Sequence, residues 1–486
     1  MFRTTNYSRL PCGIGLLLMA STVGVCTAVG VESGRPNVLL ISIDDLNDWT
    51  GCLGGHPQAR TPNIDRFAGR GTLFTNAHCQ SPVCNPSRTS LMTGRHPHSS
   101  GVYFLSPDLQ EAPRLDGVNT LPERFAKHGY RTLAAGKLFH GGDDRFFQEY
   151  AGTMGGFGPR PDAKISQPHG HPLWDWGAFP NRDEAMPDYR LAQWAARSLR
   201  SRLPADDRPF LLAVGFYRPH VPMYAPRKWF ERFPREEIKL PVTIAGDRDD
   251  LSAYAISLTN DNHVSPTHAW VESAGEWPHA VQAYLASTAF VDACVGTVLD
   301  ALDASPHKQN TIVVLFSDHG FHLGEKQRWA KRTLWEDGTR VPLIVSAPGL
   351  PGGQRTGKPA QLLDLFPTLL ELCGLPADDS QEGHSLAPLL MDSGAEWPHV
   401  ALTSFGKGNA AVRSEHYRYI RYRDGSGELY DHRRDPHEWT NLAATPELAE
   451  VVKSHRQRLP EEWADVLPGN STGHQAYRAA ERFVER

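Results

Sequence analysis

Two apolar runs, Asn37–Ile43 (Asn-Val-Leu-Leu-Ile-Ser-Ile) and Thr311–Ser317 (Thr-Ile-Val-Val-Leu-Phe-Ser), stand out along the chain. Neither alternates cleanly with polar residues, which is the pattern of strands covered on both faces of a parallel sheet. Phe210–Phe216 repeats it, and so does Tyr130–Ala135 after a helical stretch at Thr120–Gly129. Val281–Leu302 spaces its apolar residues as a long amphipathic helix does. Leu343–Ser346 and Leu362–Leu372 add a strand and a helix. Strands alternating with helices predict an α/β fold, a doubly wound mixed sheet sandwiched by helices. The periodicity breaks around Ser385–Pro398. Beyond it, Ala410–Arg413, Tyr417–Tyr422 and Glu428–Tyr430 read as short antiparallel strands, followed by helical patterns at Pro446–Leu459 and Ala476–Val484. The expected organisation is a main α/β domain over residues 36–390 and a C-terminal subdomain over 399–486.

The first residues follow another pattern. Arg3 and Arg9 precede an apolar run from about Ile14 to Val25, and Cys26-Thr27-Ala28 offers small residues for cleavage. This reads as a secretory signal peptide over residues 1–28. The alternative is a signal anchor, for which the run is short. Cys26 is a poor lipoprotein acceptor because bulky Val25 precedes it. No other stretch reads as long and apolar enough to cross a bilayer. The expectation is therefore an exported protein, periplasmic or extracellular (lysosomal in a eukaryote), with no membrane span in the mature chain.

Composition narrows the partners more than the fold. The chain has 486 residues, 40% hydrophobic and 22% charged, ordinary values for a globular enzyme. A formal charge of −5 provides no basic field. That argues against nucleic acid, or a long polyanion gripped along a groove. An anionic substrate would need a local pocket. Of seven cysteines, two lie in the leader, and Cys52, Cys79, Cys84, Cys294 and Cys373 have no regular spacing and form no C-x-x-C pair. Neither a disulfide scaffold nor a zinc motif is indicated. Cys294 and Cys373 fall in helical patterns and read as core packing.

Candidate chemistry begins where the strands end. Asp44 and Asp45 follow the first strand at its carboxyl end, where open α/β sheets place their sites. Adjacent carboxylates repel unless a cation bridges them, although alone the pair reads as an N-cap and a solvated neighbour. Thr311–Ser317 ends likewise in Asp318-His319-Gly320, with Gly320 allowing a sharp turn. Two strands that each end in ligand-type residues suggest a metal between them. The carboxylates favour a hard cation, and the imidazole also admits Mn²⁺ or Zn²⁺.

The densest stretch is Cys84-Asn85-Pro86-Ser87-Arg88-Thr89-Ser90-Leu91-Met92-Thr93-Gly94-Arg95. Cys84 is expected in a turn that Pro86 and Ser87 lead into a helix beginning near Thr89, where unpaired N–H groups favour an anion. Arg88 lies one helical turn on and can hold the Cys84 side chain or an oxyanion. Such a pair has three readings. One is a buried structural Cys beside a surface Arg. A second is a thiolate phosphatase loop, which needs Cys and Arg six apart, whereas here they are four apart. The third is the signature C-x-P-S-R followed by x-x-x-M/L-T-G-R, met at every fixed position. This signature belongs to the sulfatases, which the chain resembles.

The resemblance implies an alkaline-phosphatase-like fold and a formylglycine made from Cys84 by a formylglycine-generating enzyme before folding. It also implies Ca²⁺ held by Asp44, Asp45, Asp318, His319 and the oxygen at position 84. Gly-Lys-Leu-Phe-His (136–140), Leu-Ala-Val-Gly-Phe-Tyr-Arg-Pro-His-Val-Pro (212–222) and Ser-Asp-His-Gly-Phe-His-Leu-Gly-Glu (317–325) with Trp329-Ala330-Lys331 are most similar to the iduronate-2-sulfatase branch. On that likeness Lys137 and Lys331 bind the sulfate, and His220 or His140 protonates the leaving oxygen. The implied substrate is a sulfated saccharide, 2-O-sulfated on a terminal uronate. The implied cycle is attack by the aldehyde hydrate on sulfur, then C–O cleavage that expels sulfate and restores the aldehyde. A serine in this place would be left as a stable sulfate ester. Departures from the branch are Lys326-Gln327 in place of His-Gly, Arg218 in place of Lys, and two inserts, 141–204 and 236–278, expected to wall the pocket. Rival readings are another sulfatase specificity (6-sulfated hexosamine or choline sulfate), a phosphate or phosphonate monoester hydrolase, and a carbohydrate-binding relic. The relic predicts loss of at least one of Asp44, Asp45, Cys84, Arg88, Asp318 or His319, and all six are present.

Overall fold

A run of strands apolar on both faces needs cover on both sides, and the fold supplies it. The computed structural model describes Met1 and residues 34–166, 172–203, 207–260 and 264–484. The expected signal peptide lies outside these residues. An eight-stranded sheet is built from β1 (Asn37–Ile43), β2 (Thr72–Phe74), β3 (Arg131–Gly136), β4 (Glu149–Tyr150), β5 (Phe210–Phe216), β6 (Thr311–Ser317), β7 (Leu343–Ser346) and β8 (Gln354–Thr356), in the order β8-β2-β7-β6-β1-β5-β3-β4. From β6 to β4 all neighbours run parallel, with Ile41 opposite Val214 and Leu315. β7 pairs antiparallel to both β6 and β2, so the sheet is mixed as expected.

Side chains alternate across β1 with the period of a strand. Leu39, Ile41 and Ile43 pack with Val281, Leu285 and Val295 of α5 (Trp277–Asp303), Ile64 and Phe67 of α1 (Pro62–Ala68) and Leu191 of α4 (Pro187–Arg197). Val38 and Leu40 face the other layer, among Leu91 and Met92 of α2 (Cys84–Thr93), Phe125 of α3 (Leu121–Lys127) and Phe366 and Leu369 of α6 (Leu365–Leu372). Helices on both faces make the sheet doubly wound.

One expectation fails. Among the described residues, one helix is long and apolar enough to cross a membrane. Helix α5 has 27 residues, and 83% of its most apolar window is buried inside the fold. It is apolar nearly all round because the sheet and α1 and α4 surround it.

The C-terminal sheet is a meander of β9 (Ala401–Ser404), β10 (Ala410–Arg413), β11 (Tyr417–Arg421) and β12 (Gly427–Asp431), followed by α7 (Ala449–Arg456) and α8 (Thr472–Glu481). Ala411, Ile420 and Tyr430 share an apolar cluster with Val83, Tyr103 and Phe104 around the start of α2. Buried ion pairs to Glu336 of the main domain reinforce the junction, from Arg413 Nε at 3.1 Å and from Arg418 Nη2. The described cysteines form no disulfide.

Between β6 and β7 the backbone is strained. Lys326, Gln327, Ala330 and Arg332 hold φ of 48, 54, 72 and 73°. Each left-handed non-glycine residue costs about 1 kcal/mol or more. At Lys326 the contacts offset that cost. Its Nζ meets Asp247 Oδ1 at 2.9 Å, donates to the Glu438 carbonyl, and sits over the Trp335 and Tyr430 rings. Gln327 is exposed and has no such anchor. Gln327→Gly is expected to raise stability by up to about 1 kcal/mol, read as a higher Tm. A lower Tm would show that the glutamine side chain itself holds the turn.

Candidate active site

Register places the two strand ends together. Ile43 of β1 pairs with Ser317 of β6, so Asp44-Asp45 and Asp318-His319 leave the sheet side by side. The Asp45 amide donates to Asp318 Oδ1 at 3.2 Å, and the Leu46 amide donates to Ser317 Oγ at 3.0 Å. Asp45 takes φ 62°, a left-handed turn that Asp tolerates better than most residues.

Helix α2 begins at Cys84, after Val83 at the N-cap, and not near Thr89 as expected from the sequence. Pro86 is the reason. A proline in the first turn has no N–H to leave unpaired, so it begins the helix rather than delaying it. All ten residues of α2 are buried. Ser87 Oγ donates to the Asp318 carbonyl at 2.5 Å and locks the helix to the end of β6.

Arg88 is turned onto carboxylates. Its Nε lies 2.9 Å from Asp318 Oδ2 and its Nη2 3.2 Å from Asp44 Oδ1, while Nη1 donates to the Lys137 carbonyl at 2.6 Å. Cys84 Sγ has other neighbours, His319 Nε2 and Lys331 Nζ, both at 3.2 Å. Lys137 Nζ meets Asp44 Oδ2 at 2.6 Å, and Lys331 Nζ meets Asp45 Oδ1 at 2.5 Å. Three buried carboxylates thus face three buried cations. His220 Nδ1 lies 2.6 Å from the Val221 carbonyl and must donate to it, leaving Nε2 on the Asp45 side, 3.8 Å from Oδ2. His140 stands on the rim of the same cavity.

These charges set the protonation states. Burial alone would raise Asp44, but the Lys137 and Arg88 cations outweigh it and hold the carboxyl well below its usual range. Asp45 goes the other way. Burial, opposed by Lys331 and reinforced by neighbouring Asp44, pushes it up to about 7. Burial and then Lys331 hold the His220 imidazole well below its ordinary value, so the ring is neutral.

The donor set fits a divalent cation. Asp44, Cys84, Asp318 and His319 each place a ligand atom within 4.8 Å of the others, and Asp45, Cys84 and His220 form an adjoining group. Asp45 Oδ2 is buried with no hydrogen-bond partner, as a carboxylate oxygen reserved for an ion would be. His319 donates from Nδ1 to the Gly320 carbonyl at 3.0 Å, which fixes Nε2 as the nitrogen available to a metal.

The cavity above these groups has a volume of about 410 Å³. Phe157, Leu173 and Trp174 from the first insert and Val264 from the second line it, as expected. Other walls were not read from the sequence. Arg332, next to Lys331, faces the cavity, and Asn470, Ser471 and Thr472 at the start of α8 close one side. Proximity to Lys331 could have flagged Arg332, whereas nothing in the sequence ties residue 470 to residue 84. Arg218 supports the wall from behind. Its three guanidinium nitrogens donate to the carbonyls of Tyr224 (2.9 Å), His220 (3.0 Å) and Phe157 (2.7 Å).

Comparison with known proteins agrees with this arrangement. Residues 36–375 match the sulfatase family model, and residues 324–465 match the model described as N-sulphoglucosamine sulphohydrolase, C-terminal. A sulfatase of Formosa agariphila is 39% identical over 464 residues, 92% of this chain and 90% of that protein. Iduronate 2-sulfatase of Mus musculus is 31% identical over 400 residues, 70% of this chain and 69% of its own. Among solved structures, the phosphonate monoester hydrolase of Agrobacterium radiobacter superposes with a TM-score of 0.72 at 22% identity, covering 87% of this chain and 94% of that one, and so shares the alkaline-phosphatase-like fold. A family match across most of the main sheet, together with a relative alike from end to end of the described fold, makes this chain a member of the sulfatase family, a hydrolase of sulfate esters.

Proposed function

We propose that this sulfatase removes the 2-O-sulfate of a terminal uronate in a glycosaminoglycan or similar polysaccharide, acting outside the cytoplasm after loss of residues 1–28. The observation that carries the reading is the cavity itself. It is closed on several sides, sized for a sugar unit, and has Arg332 on its wall in addition to the cations around Cys84. A sulfated uronate brings two anions, and this cavity has positive charge for both. The iduronate 2-sulfatase relative supports the same class.

Sulfatases generally use a formylglycine and a divalent metal. A formylglycine at position 84, matured by a formylglycine-generating enzyme, supplies a hydroxyl nucleophile and a route to release sulfate. A cation held by Asp44, Asp45, Asp318 and His319, which we assign as Ca²⁺ because oxygen donors dominate, supplies charge beside that residue. The chain's own groups do the rest. Arg88 fixes Asp44 and Asp318 relative to α2. Lys137 and Lys331 present ammonium groups to the sulfuryl oxygens, positioned before the reaction by their carboxylate partners. His220 Nε2, bare in the free site, takes up a proton as the anionic ester enters and hands it to the departing sugar oxygen, with His140 on the rim as the second group in reach.

The test is sulfate release by enzyme co-produced with a formylglycine-generating enzyme. The substrates are a disaccharide 2-O-sulfated on a terminal uronate and one 6-O-sulfated on hexosamine. Release from the uronate alone is the expected result. Release only from the hexosamine, or from neither, overturns the proposed substrate.

A further inference from the structure

Behind the active site lies a second group of ligand-type side chains that the sulfatase chemistry does not use. His322, Glu325 and Asp337 each place a ligand atom within 4.8 Å of the others. His322 and Glu325 come from the turn after His319, and Asp337 from the short helical turn Glu336–Thr339 that leads to β7. Packing already joins the two segments, since the Gly320 amide donates to the Gly338 carbonyl at 3.1 Å.

Two observations separate this group from an ordinary acidic patch. The first concerns the imidazole. His322 is fully buried, its Nε2 is engaged by Thr333 Oγ1 at 2.7 Å, and its Nδ1 has no hydrogen-bond partner. That nitrogen lies on the carboxylate side, 3.8 Å from Asp337 Oδ2, with the Glu325 backbone carbonyl also bearing on the ring. A buried ring nitrogen without a partner needs an explanation. The second concerns charge. Glu325 accepts from the Leu323 amide at 2.6 Å and has no ion pair with a lysine or arginine among the described residues, and neither has Asp337. Two nearby cations are committed elsewhere, Arg340 to Asp48 at 3.0 Å and Lys326 to Asp247 at 2.9 Å. Burial, reinforced by Asp48, raises Glu325 to about 7, and burial with Glu325 and Asp48 raises Asp337 well above its usual range. Carboxylates gathered in this way call for a shared cation.

We propose that His322 Nδ1, Glu325 and Asp337 bind a second divalent metal ion, separate from the one at Cys84. An imidazole with two carboxylates suits Mn²⁺ or Zn²⁺ better than Ca²⁺. Bound there, the ion would pin the turn that carries His319 to the segment that leads into β7, from outside the cavity. It is a structural clamp, and it does not depend on which sulfate ester the enzyme cleaves.

The test uses the full-length matured enzyme, stripped with chelator and then saturated with Ca²⁺ so that the oxygen-rich site is filled. Titration calorimetry with Zn²⁺ is expected to show one further site per chain, and Zn²⁺ to raise Tm. Asp337→Asn should abolish that binding and the rise in Tm. Asparagine keeps the size and shape of the aspartate side chain, so the variant should fold. Glu325→Gln should weaken the binding at least tenfold, and Asp318→Asn, at the other site, should leave it intact. No Zn²⁺ uptake by the Ca²⁺-saturated enzyme overturns the proposal. So does uptake that survives Asp337→Asn, or uptake that disappears in Asp318→Asn.

Discussion

Cys84→Ala is expected to lose sulfate release by about 10⁴-fold or more, because removal of a nucleophile leaves only the binding and charge stabilisation around it. Fold and binding should survive. The side chain at position 84 has polar contacts with His319 and Lys331, and the vacated space costs about 1 kcal/mol. Cys84→Ser is the more informative partner. A serine can attack sulfur but has no second hydroxyl with which to expel sulfate, so it should stop after one turnover as a sulfated serine detectable by mass spectrometry. Continued turnover by either variant would sink the formylglycine mechanism. A Tm collapse in Cys84→Ala would instead show that the sulfur has a structural role that its contacts do not reveal.

Arg88→Ala should damage both stability and rate. The guanidinium neutralises Asp318 and Asp44, both almost fully buried, and removing one partner of a buried ionic group typically costs about 3–5 kcal/mol. The rate should fall by about 10²-fold or more, since the two carboxylates then lose the orientation that serves the metal site. Arg88→Lys should rescue little, because one ammonium cannot reach Asp318, Asp44 and the Lys137 carbonyl together. The readouts are thermal unfolding and turnover under saturating substrate. A variant of wild-type stability would mean that Lys137 alone balances Asp44.

Much of this site could be read from the chain because its parts sit at the ends of strands. β1, β5, β6 and β7 were found with their observed bounds, since continuous apolar runs of this length have little else to become. Asp44-Asp45 and Asp318-His319 followed directly. The start of α2 is harder to place because Pro86 reads equally as a lead-in, although its missing N–H suits a first turn. Strands β2 and β8 have only three residues, too few for any period to show, and α4 lies in an insert that no pattern aligned. The partners of Arg88 were misjudged for a different reason. A helical spacing of four residues puts Cys84 and Arg88 on one face, but only the packed structure shows that Asp44 and Asp318 offer the long side chain a better place. The span of α5 is legible in its apolar spacing, whereas a chain alone does not show how thoroughly the fold buries so apolar a helix.

The cavity divides by origin. The groups around Cys84 stand on α2 or on and just beyond the carboxyl ends of β1, β3, β5 and β6, or follow from them, whereas Phe157, Trp174, Val264 and Asn470–Thr472 come from inserts and from the far end of the chain. Phe157 is the bridge between the two sets, its ring packed against His220 and beneath Lys137, but the rest of the second set can vary with less effect on the first. A gene with this layout can therefore explore new sugars while its sulfur chemistry is held constant by selection on the sheet, and descendants that share the reaction may share little of the mouth through which substrates arrive.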